Sequence, residues 1–171
     1  MRNLTMMTDL YQLTMMYGYY RYGMAENEGI FDLFYRQNRK NSAFAVMAGT
    51  ESVIDYINNL RFTEDDIAYL KSLNLFDDGF LLRLSNMRFT GEIFGMPEGT
   101  IVFPHEPLIR VRAPMIEAQL IETAILNLVN HQTLIATKAN RVCYAAKGGS
   151  VLEFGLRRAQ GPDAGIYGAR A

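Results

Sequence analysis

VLEFGLRRAQGPD, Val151 to Asp163, sets a short apolar run against a glycine and two adjacent arginines. Ser150 to Phe154 (SVLEF) reads as a short buried strand. Gly155, Leu156, Arg157 and Arg158 follow it, and GPDAGIYGARA then begins a helical pattern. On the other side lies a long helix opened by Pro114, because proline suits the first helical position. Ile116, Leu120, Ile121, Ala124, Ile125, Leu128, Val129 and Ile135 give it a wide apolar stripe. The pattern runs to about Ala146 and stops at Gly148-Gly149, with a break expected near His131 to Thr133. A strand after a long helix, with another helix beginning, is the rhythm of a β/α barrel, of which only the first strand and its flanking helices are expected here.

Further upstream the texture differs. Phe89 to Pro114 (FTGEIFGMPEGTIVFPHEPLIRVRAP) holds three Gly and four Pro among short β-prone runs. Helices do not survive that punctuation, so short strands and turns are expected, packed as a small barrel or sandwich. Before it, three helices are expected at Glu51 to Leu60, Thr63 to Leu73 and Asp77 to Met87. The first has an apolar stripe at Val53, Ile54, Ile57 and Leu60; the second starts at a capping Thr63; the third buries Phe80, Leu81 and Leu84. Strands are expected at Gly29 to Tyr35 and Ala43 to Ala48, joined by a polar loop from Arg36 to Ser42. Near the N-terminus Thr8 caps a helix with Asp9 in its first turn; Leu10, Leu13, Met16, Tyr17 and Tyr20 recur at helical spacing, and Gly23 ends it. Two domains follow from this layout: an α+β domain over residues 1–113, and residues 114–171 as the start of the barrel.

Bulk properties narrow the function classes. The 171 residues suffice for one domain with a real core, or for part of a larger one. A net charge of -1 supplies no basic field to recruit nucleic acid or an anionic membrane, so any anion site must be local. The single cysteine, Cys143, forbids an intrachain disulfide and a four-thiolate zinc site, and reads as a small, partly buried core residue. No run approaches the roughly 18 apolar residues of a membrane span. Asp9 interrupts the N-terminal stretch too early for a signal peptide. A reduced, cytoplasmic setting fits. Two histidines far apart argue against a histidine-based metal site, and the phosphate-loop, dinucleotide and nucleophile-elbow signatures are missing.

Three places carry candidate chemistry. Arg157 and Arg158 stand where a barrel strand ends, and guanidiniums there grip phosphate or carboxylate bidentately. An ordinary strand-end ion pair with Glu153 or Asp163 explains them equally well. Glu122, Asn127, Asn130, His131, Thr133, Thr137, Lys138 and Arg141 give the long helix a polar set, with Lys138 and Arg141 three apart on one face. Pattern alone makes this a solvated face with His131 hydrogen-bonded at a helix break. Tyr11, beside Asp9, is able to stack on an aromatic ring, although a capped, core-packing helix is the simpler account. His105, between two prolines, reads as a turn residue.

TDLYQLTM (Thr8 to Met15), ETAILNLVNHQTLIATKANR (Glu122 to Arg141) and EFGLRRAQGPD (Glu153 to Asp163) together resemble the nicotinate phosphoribosyltransferase family. GEIFGMPEGTIVFPHEPLIRVRAP also fits that family, so the resemblance covers essentially the whole chain. It implies an α+β N-terminal domain followed by an incomplete α/β barrel of the type II phosphoribosyltransferase kind, in a homodimer. It implies a site for nicotinate and phosphoribosyl pyrophosphate that makes nicotinate mononucleotide and pyrophosphate for NAD biosynthesis. ATP coupling, and magnesium with the pyrophosphate, come with it. On matching positions, Tyr11 stacks on the nicotinate ring from the neighbouring subunit, with Asp9 beside it, and Phe154 covers the other face. Arg158 and Arg157 lie near the nicotinate carboxylate and the phosphoribosyl group; Glu122 and Arg141 align with site residues less firmly. Family members are more than twice this long, and their phosphorylated histidine falls beyond Ala171, so no catalytic residue and no turnover are expected from this polypeptide alone. Transfer to nicotinamide or quinolinate, or a non-catalytic module pairing with a full-length subunit, are the competing readings.

Overall fold

The computed structural model describes residues 3–37 and 42–171. Met1, Arg2 and the Asn38 to Asn41 part of the expected loop lie outside the described residues. In chain order the elements are α1 (Leu10–Arg21), β1 (Glu28–Leu33), β2 (Ala45–Val46), α2 (Thr50–Asn58), α3 (Glu64–Ser72), α4 (Asp78–Ser85), β3 (Glu92–Gly95), β4 (Ile101–Val102), β5 (Ile109–Pro114), α5 (Met115–Ala145), a 3-10 turn (Leu156–Arg158) and α6 (Pro162–Arg170). The chain is α+β with two small sheets. One has strand order β1-β5-β3. The other pairs β2 with β4 antiparallel, Ala45 opposite Val102 and Val46 opposite Ile101. Among the described residues neither sheet closes into a small barrel, one of the two arrangements expected for Phe89 to Pro114.

Two compact units divide the residues. The first comprises Met1–Asp32, Ser52–Phe94 and Arg110–Leu126; the second comprises Leu33–Glu51, Gly95–Ile109 and Asn127–Ala171. In the first unit α1 starts one residue later than its sequence suggests. Asp9, not Thr8, is the cap: its backbone is extended (φ -89°, ψ 154°) and its N–H donates to Gln12 Oε1 at 2.9 Å. Thr8 turns its hydroxyl to the same oxygen. Gly23 then takes φ +70°, the left-handed turn that ends the helix.

The Thr63 cap forms as expected, exchanging bonds with Asp66: the Thr63 hydroxyl accepts from the Asp66 N–H and the Asp66 carboxylate from the Thr63 N–H. Asp77 caps α4, and Phe80, Leu81 and Leu84 are buried as their spacing indicates. Along α2, Tyr56 is buried and Ile54 is exposed, contrary to the expected stripe. The face turned inward is Val53, Tyr56 and Leu60, which are three and four apart.

β5 alternates: Ile109, Val111 and Ala113 point inward, Arg110 and Arg112 outward. On the outer face Arg110 grips Asp32 with two bonds of 2.7 Å, and Arg112 reaches Glu28 at 2.8 Å and Glu92 at 3.6 Å. These exposed pairs set strand neighbours more than stability. The buried Glu117, in the first turn of α5, holds the Thr90 N–H at 2.7 Å and the Thr90 hydroxyl at 2.9 Å.

α5 runs 31 residues without the break expected near His131. Thr133 and Thr137 are not a sign of weakness there, because the backbone of β2 and of Ala48 just beyond it engages them. The Thr133 hydroxyl meets the Ala48 N–H at 3.2 Å and the Ala48 carbonyl at 3.1 Å, and Thr137 accepts from the Val46 N–H at 2.9 Å. The buried Thr133 and the part-buried Thr137 thus close backbone groups that a two-residue strand leaves open.

Val151 to Phe154 is not a strand, and it is exposed. The composition is strand-like, but a strand exists only where another backbone completes its ladder, and among the described residues none does. The following segment is helical as expected, α6 starting with Pro162 at its first position.

α6 is anchored through Arg170, whose guanidinium bridges Glu98 at 2.6 Å and Glu51 at 2.8 Å. Glu98 also accepts from the Gly49 N–H at 2.7 Å and the Glu51 N–H at 3.3 Å, at the start of α2. Burial pushes the Glu98 carboxyl up, but Arg170 and the two N–H groups outweigh it and hold it below the ordinary carboxylate range. A depressed folded value gives stability that is present above the unfolded value and lost as pH falls through the folded one. Acid titration of stability should therefore be shallower in Glu98→Gln than in the unaltered chain. Equal acid limbs in the two would show that this clamp contributes nothing.

Candidate functional site

The start of α1 and the first half of α5 build one polar cluster inside the first unit. Tyr11 is half exposed and its hydroxyl donates to Glu122 Oε2 at 3.3 Å. The Asp9 carboxylate accepts from the Thr123 hydroxyl at 3.2 Å. Asp9, Tyr11 and Glu122, three of the residues singled out in the sequence, are therefore gathered in one place. Burial, and then the charges of Glu122 and Asp9, raise the Tyr11 phenol above its ordinary value, so it stays protonated and donating at neutral pH. An aromatic face with an anchored hydroxyl, flanked by carboxylates, suits a flat ring ligand.

The second unit carries the other group. Phe154 is 80 % exposed, and the Arg157 guanidinium lies 5.8 Å from the centre of its ring. Arg158 is exposed in the same 3-10 turn, its N–H donating to the Gly155 carbonyl at 2.7 Å. Glu153 does not meet the arginines through its Oε1, which accepts from the Gly155 N–H at 2.6 Å. An aromatic ring with a guanidinium over it and a second guanidinium next in sequence is suited to a planar anion. Arg141 lies exposed on the last turns of α5.

From residue 6 to residue 130 the chain matches the family model of the nicotinate phosphoribosyltransferase (NAPRTase) N-terminal domain. The chain belongs to the nicotinate phosphoribosyltransferase family. It is similar to the nicotinate phosphoribosyltransferase of Bacillus subtilis (strain 168), 47% identical over 169 residues, which span 99% of this chain and 34% of that protein. The Caenorhabditis elegans nicotinate phosphoribosyltransferase is 38% identical over 96% of the chain and 30% of its own length. Among solved structures, that of human nicotinic acid phosphoribosyltransferase superposes with a TM-score of 0.86 at 38% identity, covering 94% of this chain and 33% of that one. The nicotinate-nucleotide pyrophosphorylase of Pyrococcus furiosus, at 22% identity and a TM-score of 0.70, shares the fold. The chain thus spans about a third of the length of the relatives it matches.

Sequence reading of this family member missed Gln12, the most buried polar residue of the cluster. Its side chain is fully enclosed and bonds Thr8, Asp9, Gln119, Glu122 and Thr123. The available signal was its place three residues after Asp9, where a capping box wants Glu or Gln. Two other expectations are corrected. Cys143 is exposed rather than partly buried, because it lies on the last turns of α5, where most residues face outward. His131 is not hydrogen-bonded at a helix break: its Nε2 is buried without a partner, its ring 6.1 Å from that of Tyr167. His105 is a turn residue as expected, at φ +69° with its N–H on the Tyr35 carbonyl.

Proposed function

We propose that this chain supplies the nicotinate-gripping part of a nicotinate phosphoribosyltransferase that makes nicotinate mononucleotide and pyrophosphate for NAD biosynthesis. The observation that carries this reading is the Tyr11 ring, half exposed and fixed through its hydroxyl to Glu122 in a chain of this family. Nicotinate brings its own nucleophile: its ring nitrogen attacks C1 of the phosphoribosyl group while the C1–oxygen bond breaks and its electron pair leaves with pyrophosphate. No proton needs to move, so the protein's tasks are to hold the ring, neutralise its carboxylate and meet the growing charge. Tyr11 and Phe154 are the ring contacts and Arg158, with Arg157, the carboxylate and phosphoribosyl contacts; Asp9, Glu122 and Arg141 complete the binding set.

The longer protein is read as a cytoplasmic homodimer in which Tyr11 enters the partner's site and ATP hydrolysis is coupled to transfer. Val151 to Phe154 is read as the first strand of the incomplete α/β barrel, laddered there by further strands. Among the described residues no group of three or more His, Cys, Asp or Glu is gathered that would hold a metal. Magnesium is read, from the family resemblance alone, as accompanying the pyrophosphate oxygens. No described helix is long and apolar enough to cross a membrane.

Given nicotinate, phosphoribosyl pyrophosphate, ATP and magnesium, the purified chain should form no nicotinate mononucleotide when host enzyme is excluded; product would overturn the idea that it is inactive alone. Binding tests the ring site separately. Nicotinate should perturb the Tyr11 or Phe154 resonances more than nicotinamide does, and Arg158→Ala should weaken nicotinate about tenfold while leaving nicotinamide unchanged, as expected for one charge-assisted contact. Equal affinity for acid and amide would sink the carboxylate assignment.

A further inference from the structure

We propose that Gln12 is the positioning residue of the Tyr11 ring: its buried carboxamide fixes the Glu122 carboxylate in the place where the Tyr11 hydroxyl reaches it. The inference rests on the reading of Tyr11 as a ring contact but is carried by a different observation, the one-way logic of the bonds around Gln12.

The side chain of Gln12 is fully buried, and every polar atom on it is engaged. Its amide group has only one orientation that works. Nε2 faces the Gln119 carbonyl at 2.8 Å, which can only accept, and Glu122 Oε2 at 3.2 Å. Oε1 faces the Asp9 N–H at 2.9 Å, which can only donate. Exchanging the two atoms would put donor against donor and acceptor against acceptor. The hydroxyls of Thr8, at 2.8 Å, and Thr123, at 2.6 Å, complete the oxygen's surroundings. Gln12 therefore ties the N-terminal cap of α1 to α5 with a fixed polarity.

Glu122 is the outlet of that polarity. Its Oε2 accepts from Gln12 Nε2 and from Gln119 Nε2, both at 3.2 Å, before it accepts from Tyr11 at 3.3 Å. Glu122 itself is exposed, and an exposed glutamate is free to swing among rotamers unless something holds it. The two amide donors, one of them wholly buried, provide that hold. Tyr11, one residue from Gln12, then has its ring direction set at both ends: by the backbone of the capped first turn, and by Glu122 at its hydroxyl. The elevated phenol value of Tyr11, with Glu122 and Asp9 as the facing charges, agrees with this arrangement.

The test reads Tyr11 directly. The chain is labelled with fluorotyrosine and its Tyr11 signal assigned by its loss in Tyr11→Phe. In the unaltered chain Tyr11 should titrate above free fluorotyrosine, because burial and the charges of Glu122 and Asp9 raise it. In Gln12→Met, which keeps the length but loses both donors, Glu122 is released and the Tyr11 titration should fall below that of the unaltered chain, keeping the part of the rise that burial causes. A Tyr11 titration unchanged in Gln12→Met overturns the proposal. Should that variant fail to fold, the unaltered chain decides: the Gln12 side-chain amide protons should be protected from exchange and should shift when Glu122→Gln is introduced. Rapidly exchanging amide protons, or no shift, overturn it. Nicotinate binding separates this from the functional reading. If Tyr11→Ala leaves nicotinate affinity unchanged while Gln12→Met still moves the Tyr11 titration, Gln12 positions Tyr11 but the ring-contact reading fails.

Discussion

Phe80→Ala is expected to cost about 3–5 kcal/mol in denaturant-induced unfolding, the usual range for removing a buried aromatic ring. Phe80 is fully buried, and three rings converge on it: Tyr17 at 5.1 Å, Phe76 at 5.4 Å and Tyr20 at 5.6 Å between centroids. The substitution leaves a void that stiff aromatic neighbours are poorly shaped to fill. It also disturbs a polar anchor. The Phe80 N–H donates to the Asp77 carboxylate at 2.8 Å, and the same carboxylate accepts from the Tyr17 hydroxyl at 3.0 Å and pairs with Arg21 at 3.3 Å. Tyr17 thus packs on Phe80 with its ring and holds the cap of α4 with its hydroxyl, so loss of the ring loosens both. Since whole domains are stable by only about 5–15 kcal/mol, this one change removes a large share. Phe80→Leu, which keeps most of the volume, should lose far less. If Phe80→Ala melts within about 1 kcal/mol of the unaltered chain, the four-ring cluster is not the core of its unit.

The same region shows what the sequence makes legible. Phe80, Leu81 and Leu84 lie on one helical face, and Thr63 and Asp77 each stand just before a helix; local spacing and capping chemistry decide such features, and the structure has them. The features that escaped are those that depend on a partner distant in sequence. The composition of Val151 to Phe154 is strand-like, yet without a neighbouring strand among the described residues it forms no strand and is exposed. Polarity around His131 to Thr133 resembles a weak point in a helix, yet Thr133 is where α5 takes up the Ala48 backbone. Periodicity has no term for a hydrogen bond across 85 residues.

The candidate site divides in the same way. The proposed binding residues Tyr11, Phe154 and the two arginines stand out in the sequence because they lie in family-like motifs and carry distinctive chemistry. Gln12 lies inside the TDLYQL motif but reads as one more polar residue on a helix. Its significance comes from Gln119, Glu122 and Thr123, more than a hundred positions away. A buried amide that joins α1 to α5 is visible only when the helices that meet at it are seen together.

Gly49→Val should be the most damaging single change in the second unit, and Gly49→Ala a graded version of it. Two independent restrictions meet at this position. Its φ is +107°, beyond the ordinary left-handed region and sparsely populated by any residue with a Cβ. An added Cβ would also lie 3.0 Å from the Leu128 carbonyl oxygen and 3.1 Å from Val129 Cα. Those are backbone atoms of α5, which cannot swing aside as a side-chain tip would. Glycine lets the chain leave β2 against that helix and present its N–H to Glu98 at 2.7 Å. Alanine should cost about 1–3 kcal/mol from the backbone conformation alone, with the contact adding to it. Valine adds two methyl groups in the same crowded direction and a β-branched side chain at positive φ, so that the second unit should not hold its native packing. Gly18 is the control. It lies inside α1 with nothing within 4 Å of an added Cβ, so Gly18→Ala should stabilise by about 0.5–1 kcal/mol through helix propensity. If Gly49→Ala melts like Gly18→Ala, the close approach of the post-β2 turn to α5 is not a constraint in solution. If the two shift in opposite directions, the requirement for glycine at position 49 comes from its own backbone conformation and the nearby α5 backbone, not from any general sensitivity of the chain to added methyl groups.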